Sequence, residues 1–154
     1  MFDNRLAYGA ALGALLVLSG CARKEAAPED PTAKNLRLVV TAYLQYVTKN
    51  QQAPHSARDL TPILQELGVA DPEGTLRSDR DHEPFVILWN VEEFSATKKA
   101  DKKEKTTRPR HFVLAYEKSG SDGYRFVGFS SAYVAEASDE EMTKASFPSN
   151  HKFP

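Results

Sequence analysis

The property that most constrains this chain is a single change of hydrophobic period partway along it. Between Leu36 and Val47 the apolar residues fall at Leu36, Val39, Val40, Tyr43, Leu44 and Val47, the i, i+3, i+4, i+7 spacing of one helix face. From Phe85 onward the spacing shortens to contiguous runs and alternation, the pattern of strands. A helix followed by strands predicts an α+β fold, with an N-terminal amphipathic helix packed on an antiparallel sheet of three to four strands. Cys21 is the only cysteine, so no disulfide can form within the chain and packing alone must hold this layer together.

Local signals place the elements. Asp30 is suited to cap the long helix with Pro31 at its first position, where the missing N–H costs nothing. Lys49 and Asn50 suit its end, Asn50 as a left-handed cap. Ser56 and Asp59 predict a capping box for a second helix carrying Leu60, Ile63, Leu64 and Leu67, with Pro62 acceptable only near its first turn and Gly68 terminating it. Residues 70–84 read as a turn-rich loop with a β-turn at Asp71-Pro72-Glu73-Gly74. Phe85 to Val91 predicts a strand buried on both faces; His111–Glu117 and Tyr124–Phe129 predict a hairpin joined by Lys118 to Gly123. Ala132 to Ala135 predicts a fourth strand after a turn at Ser130-Ser131, and Ser138 with Glu141 a second capping box. The tail from Phe147 to Pro154 is expected to wrap or fray.

The amino-terminal segment has another character. Its apolar run from Leu6 to Leu18, about 13 residues, falls short of the ~20 that a spanning helix needs and fits the core of a signal peptide. It ends in Leu18-Ser19-Gly20-Cys21, which resembles the lipobox of bacterial lipoproteins. The resemblance implies cleavage before Cys21, a diacylglyceryl group on its thiol, further acylation such as palmitate, and a lipid-anchored place in the cell envelope. Residues 1–20 are then a signal peptide, residues 21–33 a flexible tether, and residues 34–154 one α+β domain with a Lys-rich loop at 95–110. Net charge is −1, which argues against a coating of nucleic acid as partner.

Taken together, Leu36 through Tyr46, the stretch Pro54-His55-Ser56-Ala57-Arg58-Asp59-Leu60 and the closing Tyr124–Phe129, Tyr133-Val134 and Ser138–Met142 resemble the globular head of type II secretion pseudopilins and type IV pilins. That resemblance implies a helix on an antiparallel sheet and a place beside a secretion or pilus apparatus. The chain departs from the pilin pattern at its start. A lipobox replaces the Gly-cleaved leader and the long apolar stalk, so the resemblance implies a pilin-like head without the assembling helix.

Residues able to carry chemistry are sparse. His55, His82, His111 and His151 show no i, i+4 pairing, so local spacing predicts no metal site. Asp71, Glu73, Asp79, Asp81 and Glu83 could supply oxygen ligands to calcium, with Arg77 and Arg80 interleaved. No Gly-x-Ser-x-Gly elbow and no phosphate-binding glycine loop occurs, so no catalytic residue and no cofactor is assigned. Lys98, Lys99, Lys102, Lys103, Lys105, Arg108 and Arg110 crowd one segment, a candidate contact for anionic head groups or an acidic partner protein; it lacks the aromatics that stack nucleic-acid bases. The expected function is therefore a non-enzymatic, membrane-tethered interaction module with an envelope protein as partner. The alternative is a module binding a small ligand or envelope polymer in a pocket near Trp89, Tyr116 and Tyr124. A third reading is a hydrolase with a non-local site, in which His82 or His111 meets a Ser or Asp.

Overall fold

The computed structural model describes residues 29–94 and 111–154. Cys21 and the cationic cluster from Lys98 to Arg110 lie outside the described residues. The architecture is α+β: helices α1 (Pro31–Asn50), α2 (Ala57–Glu66) and α3 (Pro72–Thr75) precede a four-stranded antiparallel sheet, and a short α4 (Asp139–Lys144) follows it. The strands are β1 (Val86–Ile87), β2 (Val113–Tyr116), β3 (Tyr124–Phe129) and β4 (Val134–Ser138), in the spatial order of the sequence.

Helix α1 forms where its apolar stripe predicts. Asp30 caps it by accepting a hydrogen bond from the Thr32 amide at 2.8 Å, and Pro31 fills the first turn. Leu36, Val39, Val40 and Tyr43 are buried along one face, each contributing roughly 1.5–3 kcal/mol through removal from water. The helix starts at Pro31 as its cap predicts, so residues 31–33, which the bounds 21–33 give to the tether, belong to it, and Thr32 and Ala33 are buried. The apolar stripe does not show the burial of Thr32, whose hydroxyl accepts from the Asp79 amide at 3.1 Å. The left-handed cap falls on Gln51 (φ 57°) and not on Asn50, whose side chain instead donates to the Tyr46 carbonyl at 3.0 Å.

Other boundaries shift for identifiable reasons. The Asp59 carboxylate accepts from the amides of His55 at 2.7 Å and Ser56 at 3.1 Å, opening α2 as the sequence implies. Pro62 lies inside α2 beyond its first turn, on an exposed position, and the apolar face of Leu60, Ile63 and Leu64 holds the helix together around it. Asp71 to Gly74 opens the short helix α3, not a β-turn, because the Asp71 carboxylate caps the Gly74 amide at 3.0 Å. The run Phe85–Val91 is buried at Phe85, Ile87, Leu88 and Val91, yet only Val86–Ile87 is strand. An apolar run reports burial and not ladder length; here Asn90, at φ 56°, turns the chain and donates its amide to the Pro54 carbonyl at 3.1 Å. The fourth strand starts two residues later than predicted, after Ala132 takes φ 61° in the turn.

The register fixes which residues share a face. A Cβ on Gly128 would lie 2.4 Å from Val40 Cγ2 and 3.4 Å from Leu36 Cγ, so α1 crosses β3 where only hydrogen fits. Alternation then turns Gly128, Phe126 and Tyr124 toward α1 and Phe129, Val127 and Arg125 toward the opposite side. Tyr116 pairs with Val127, and Val86 pairs with Tyr116, so these three form one row on that opposite side. There the tail docks: Phe147 and Phe153 place their rings 6.2 and 5.8 Å from the Tyr116 ring, both edge-on. Met142 of α4 is fully buried beside it. The tail therefore wraps.

Candidate functional site

Three features of the head carry polar or exposed chemistry, and the first is structural. Loop residues Ser78 to Glu83 are stitched to the β2–β3 hairpin around Glu117, a carboxylate with no exposed surface. Glu117 Oε1 accepts from Ser78 Oγ at 2.6 Å and Oε2 from the Phe126 amide at 2.7 Å, where the ladder's next backbone acceptor would stand. Arg80 brings Nε to 3.7 Å from Glu117, donates to Glu136 at 2.7 Å and to the Tyr124 carbonyl at 3.0 Å, and lies over the Phe126 ring at 4.6 Å. Asp81 accepts from the amides of Ser119 and Gly120, both at 3.0 Å. Partial burial alone would raise the Asp81 pKa, but bonds from the Glu83, Gly120 and Ser119 amides and the Ser78 hydroxyl together hold it below the usual carboxylate range.

The acidic loop proposed as a calcium ligand set is thus engaged internally. Asp71 caps α3, Asp79 accepts from Asn35 Nδ2 at 3.2 Å, and Glu83 pairs with Lys118 at 3.2 Å and accepts from Ser119 Oγ at 3.0 Å. Among the described residues no group of three or more His, Cys, Asp and Glu is disposed to hold a metal ion.

The second feature is a cavity on the tail side of the sheet, about 370 Å³ in volume. Strand register builds its floor. Val86 and Tyr116 are paired, Lys118 follows Tyr116 on the same face, and Arg125 stands across from Lys118 and donates to its carbonyl at 2.7 Å. Thr143 of α4 and Phe153 of the tail supply walls. The Arg125 guanidinium lies 5.1 Å from the Phe153 ring and pairs with Asp139. Tyr116 is only 4 % exposed, and among the described residues the buried side-chain polar atoms without a hydrogen-bond partner are Arg80 Nε and Arg125 Nε. Burial pushes the Tyr116 phenol up, partly opposed by the charge of Arg125. Of the aromatic trio expected at a pocket, only Tyr116 lines this cavity; Tyr124 faces the α1 side, and Trp89 enters the tail contact through its carbonyl, 3.0 Å from His151 Nε2. A shallower groove of about 560 Å³ runs between α1 and α3, lined by Leu38, Leu67 and Val69 with Lys34 at its rim.

The third feature is the outer edge of β4. Its inner side pairs with β3 through a continuous register from Tyr124↔Ser138 to Gly128↔Val134. The Phe129 amide bonds to the Tyr133 carbonyl at 2.9 Å, so by alternation Ala135 and Ala137 direct their backbone groups inward. Val134 and Glu136 direct theirs outward, and among the described residues no strand receives them. Tyr133 and Tyr124, 62 % and 50 % exposed, are the large exposed apolar residues of the described structure and flank this strand.

Histidines are dispersed. His55 Nδ1 contacts Asn90, His151 contacts the Trp89 carbonyl, and no hydrogen bond joins His82 or His111 to a Ser or Asp among the described residues. Sequence reasoning missed Ser78, Glu117 and Arg125, and placed Arg80 only among the charges interleaved with the acidic loop. One signal was available: Glu117 is a charge at the end of the apolar run Phe112–Tyr116, and such a position requires a buried partner.

The chain matches no family model, no curated protein and no solved structure.

Proposed function

We propose that this protein is a lipid-anchored, non-enzymatic interaction module of a bacterial cell envelope, held through acylated Cys21 and docking an envelope protein along the outer edge of β4. The open edge carries this reading, because outward backbone groups at Val134 and Glu136, next to exposed Tyr133, are what an added strand requires. The helix laid across an antiparallel sheet agrees with a pilin-like head, and the Leu18–Cys21 tetrad supports the anchor. No helix among the described residues is long and apolar enough to cross a membrane, so attachment in this reading rests on the lipid. The cationic cluster Lys98–Arg110 offers a further contact for anionic head groups or an acidic partner.

A photo-crosslinking residue placed at Tyr133 in intact cells tests the docking. One dominant adduct is expected. Glu136→Pro should abolish it by removing an outward donor without touching the β3 ladder, whereas Glu136→Ala, which loses only the Arg80 pair, should retain it. A diffuse adduct pattern unaffected by Glu136→Pro refutes the edge as the docking site. A second reading, a module for a small ligand or envelope polymer, is favoured by the cavity at Tyr116.

A further inference from the structure

We propose that the partner at the β4 edge is a second copy of this chain, the two β4 strands pairing antiparallel about a two-fold axis at Ala135. The inference rests on the edge reading above and names its occupant.

The outward groups of β4 leave few ways to pair. Val134, Glu136 and Ser138 direct their backbone groups away from β3, as alternation from the Phe129–Tyr133 bond requires. Ser138 is already spent, because its amide donates to Glu141 Oε2 at 2.8 Å where it caps α4. At the other end Ala132, at φ 61°, donates its amide to the Phe129 carbonyl at 2.9 Å. That leaves Val134 and Glu136, whose outward amides and carbonyls no strand receives among the described residues.

A two-fold axis meets such an edge in three registers that set outward residues opposite one another. Centred on Ala135, Val134 of each copy faces Glu136 of the other, and the outward groups of both residues are used in four backbone hydrogen bonds. Centred on Glu136, that residue faces its own copy and Val134 faces Ser138, whose amide is engaged. Only the central pair then exchanges both its bonds, and two carboxylates stand directly opposite, a destabilising arrangement. Centred on Val134, Glu136 faces Ala132, which lies in a left-handed turn with its amide engaged. The first register is the one that satisfies the edge.

The side chains agree with it. On the tail side of the sheet Tyr133, Ala135 and Ala137 follow one another, each paired inward with β3. The Ala135 register sets Tyr133 of each copy against Ala137 of the other in a non-hydrogen-bonded pair, where side chains come closest. Tyr133 is 62 % exposed and its ring is stacked 6.4 Å from that of Phe129, so a large ring already held in place meets a small residue. On the α1 side Glu136 keeps Arg80 at 2.7 Å and meets only Val134 across the junction. The edge is self-complementary, as a two-fold contact demands.

Single cysteines along β4 of the full chain, in intact cells, read the register. Residues opposite each other at the axis of a non-hydrogen-bonded pair lie about 4.5 Å apart at Cα, within disulfide reach. Mild oxidation is expected to link Ala135→Cys into a species of twice the chain mass, at least about tenfold more than Val134→Cys, Glu136→Cys, Ala137→Cys or the parent, whose one thiol is Cys21. Adding Glu136→Pro should abolish the link, and adding Glu136→Ala should retain it. Equal linkage at every position, strongest linkage at Val134→Cys or Glu136→Cys, no linkage at Ala135→Cys, or linkage that survives Glu136→Pro would overturn the proposal. The photo-crosslinker at Tyr133 is expected to join two copies of the chain. A dominant adduct with a different protein overturns self-pairing and leaves docking at the edge intact, whereas a diffuse pattern unaffected by Glu136→Pro overturns both.

Discussion

Replacing Glu117 with alanine is expected to destabilise the head by about 3 kcal/mol, and the structure shows where that figure arises. The carboxylate accepts two short hydrogen bonds, from Ser78 Oγ at 2.6 Å and the Phe126 amide at 2.7 Å, each of a charge-assisted kind worth roughly 1.5–3 kcal/mol. Removing it also leaves Arg80, 17 % exposed, without its buried counter-charge 3.7 Å away, and half-broken buried pairs cost about 3–5 kcal/mol. These contributions overlap. Arg80 keeps Glu136 and the Tyr124 carbonyl, which places the expected loss at the low end of that range. Glu117→Gln retains one acceptor oxygen and should lose roughly half as much. Urea unfolding followed by Trp89 fluorescence checks both variants. For a slope near ~1.5 kcal/mol/M, the midpoint should fall by about 2 M in the alanine variant and about 1 M in the glutamine variant. An alanine variant within ~1 kcal/mol of the parent would refute the idea that Glu117 anchors the loop to the hairpin.

Gly128→Ala should cost about 1–3 kcal/mol, because the new methyl meets Val40 Cγ2 on a β-branched helix residue with little freedom to rotate away; thermal melting reads the loss. Tyr43→Phe removes a buried hydroxyl that donates to the Leu88 carbonyl at 2.9 Å and should cost about 1 kcal/mol by the same assay. Asp81 and Glu141 both titrate below the usual carboxylate range in the folded protein, Glu141 through its bonds from the Ser138 amide and hydroxyl. A depressed folded value means stabilisation that is present above the unfolded value, about pH 4, and lost as pH falls through the folded one. Asp81→Asn should therefore lower stability at pH 7 and flatten its acid decline; an unchanged slope between pH 5 and 2 would contradict the amide cradle. Cys21→Ala should leave the protein uncleaved and unlipidated, shifting it from the detergent to the aqueous phase in phase partitioning, and an unshifted distribution would contradict the anchor.

The elements legible in the sequence are those whose cause is local. The α1 stripe, the Asp30–Pro31 start, the Ser138–Glu141 box and the extent of β3 all depend on neighbours within a few residues, and all stand where the sequence puts them. The strand expected at Phe85–Val91 shortened because its continuation depends on Asn90 reaching Pro54, a contact no local pattern encodes. The Arg80–Glu117 pair and the Tyr116 cavity bring together residues from distant segments, the pair from a loop and the end of β2, the cavity from three strands, a helix and the tail. The sequence groups Tyr116 with Trp89 and Tyr124 as pocket candidates, but the company of Tyr116 can be read only once strand register places Val86, Lys118 and Arg125 on its side of the sheet.

Helix α1 starts against the loop that clasps the hairpin turn: Thr32 meets the Asp79 amide, and Asp81 next along grips Gly120. The end of the head from which the chain runs back toward Cys21 is consequently the end bearing Gly120, while Tyr133 stands at the far end of β3, roughly 20 Å away at ~3.3 Å per residue. The tether of an anchor at Cys21 would join the head at its hairpin-tip end, which leaves Tyr133 at the end away from that junction.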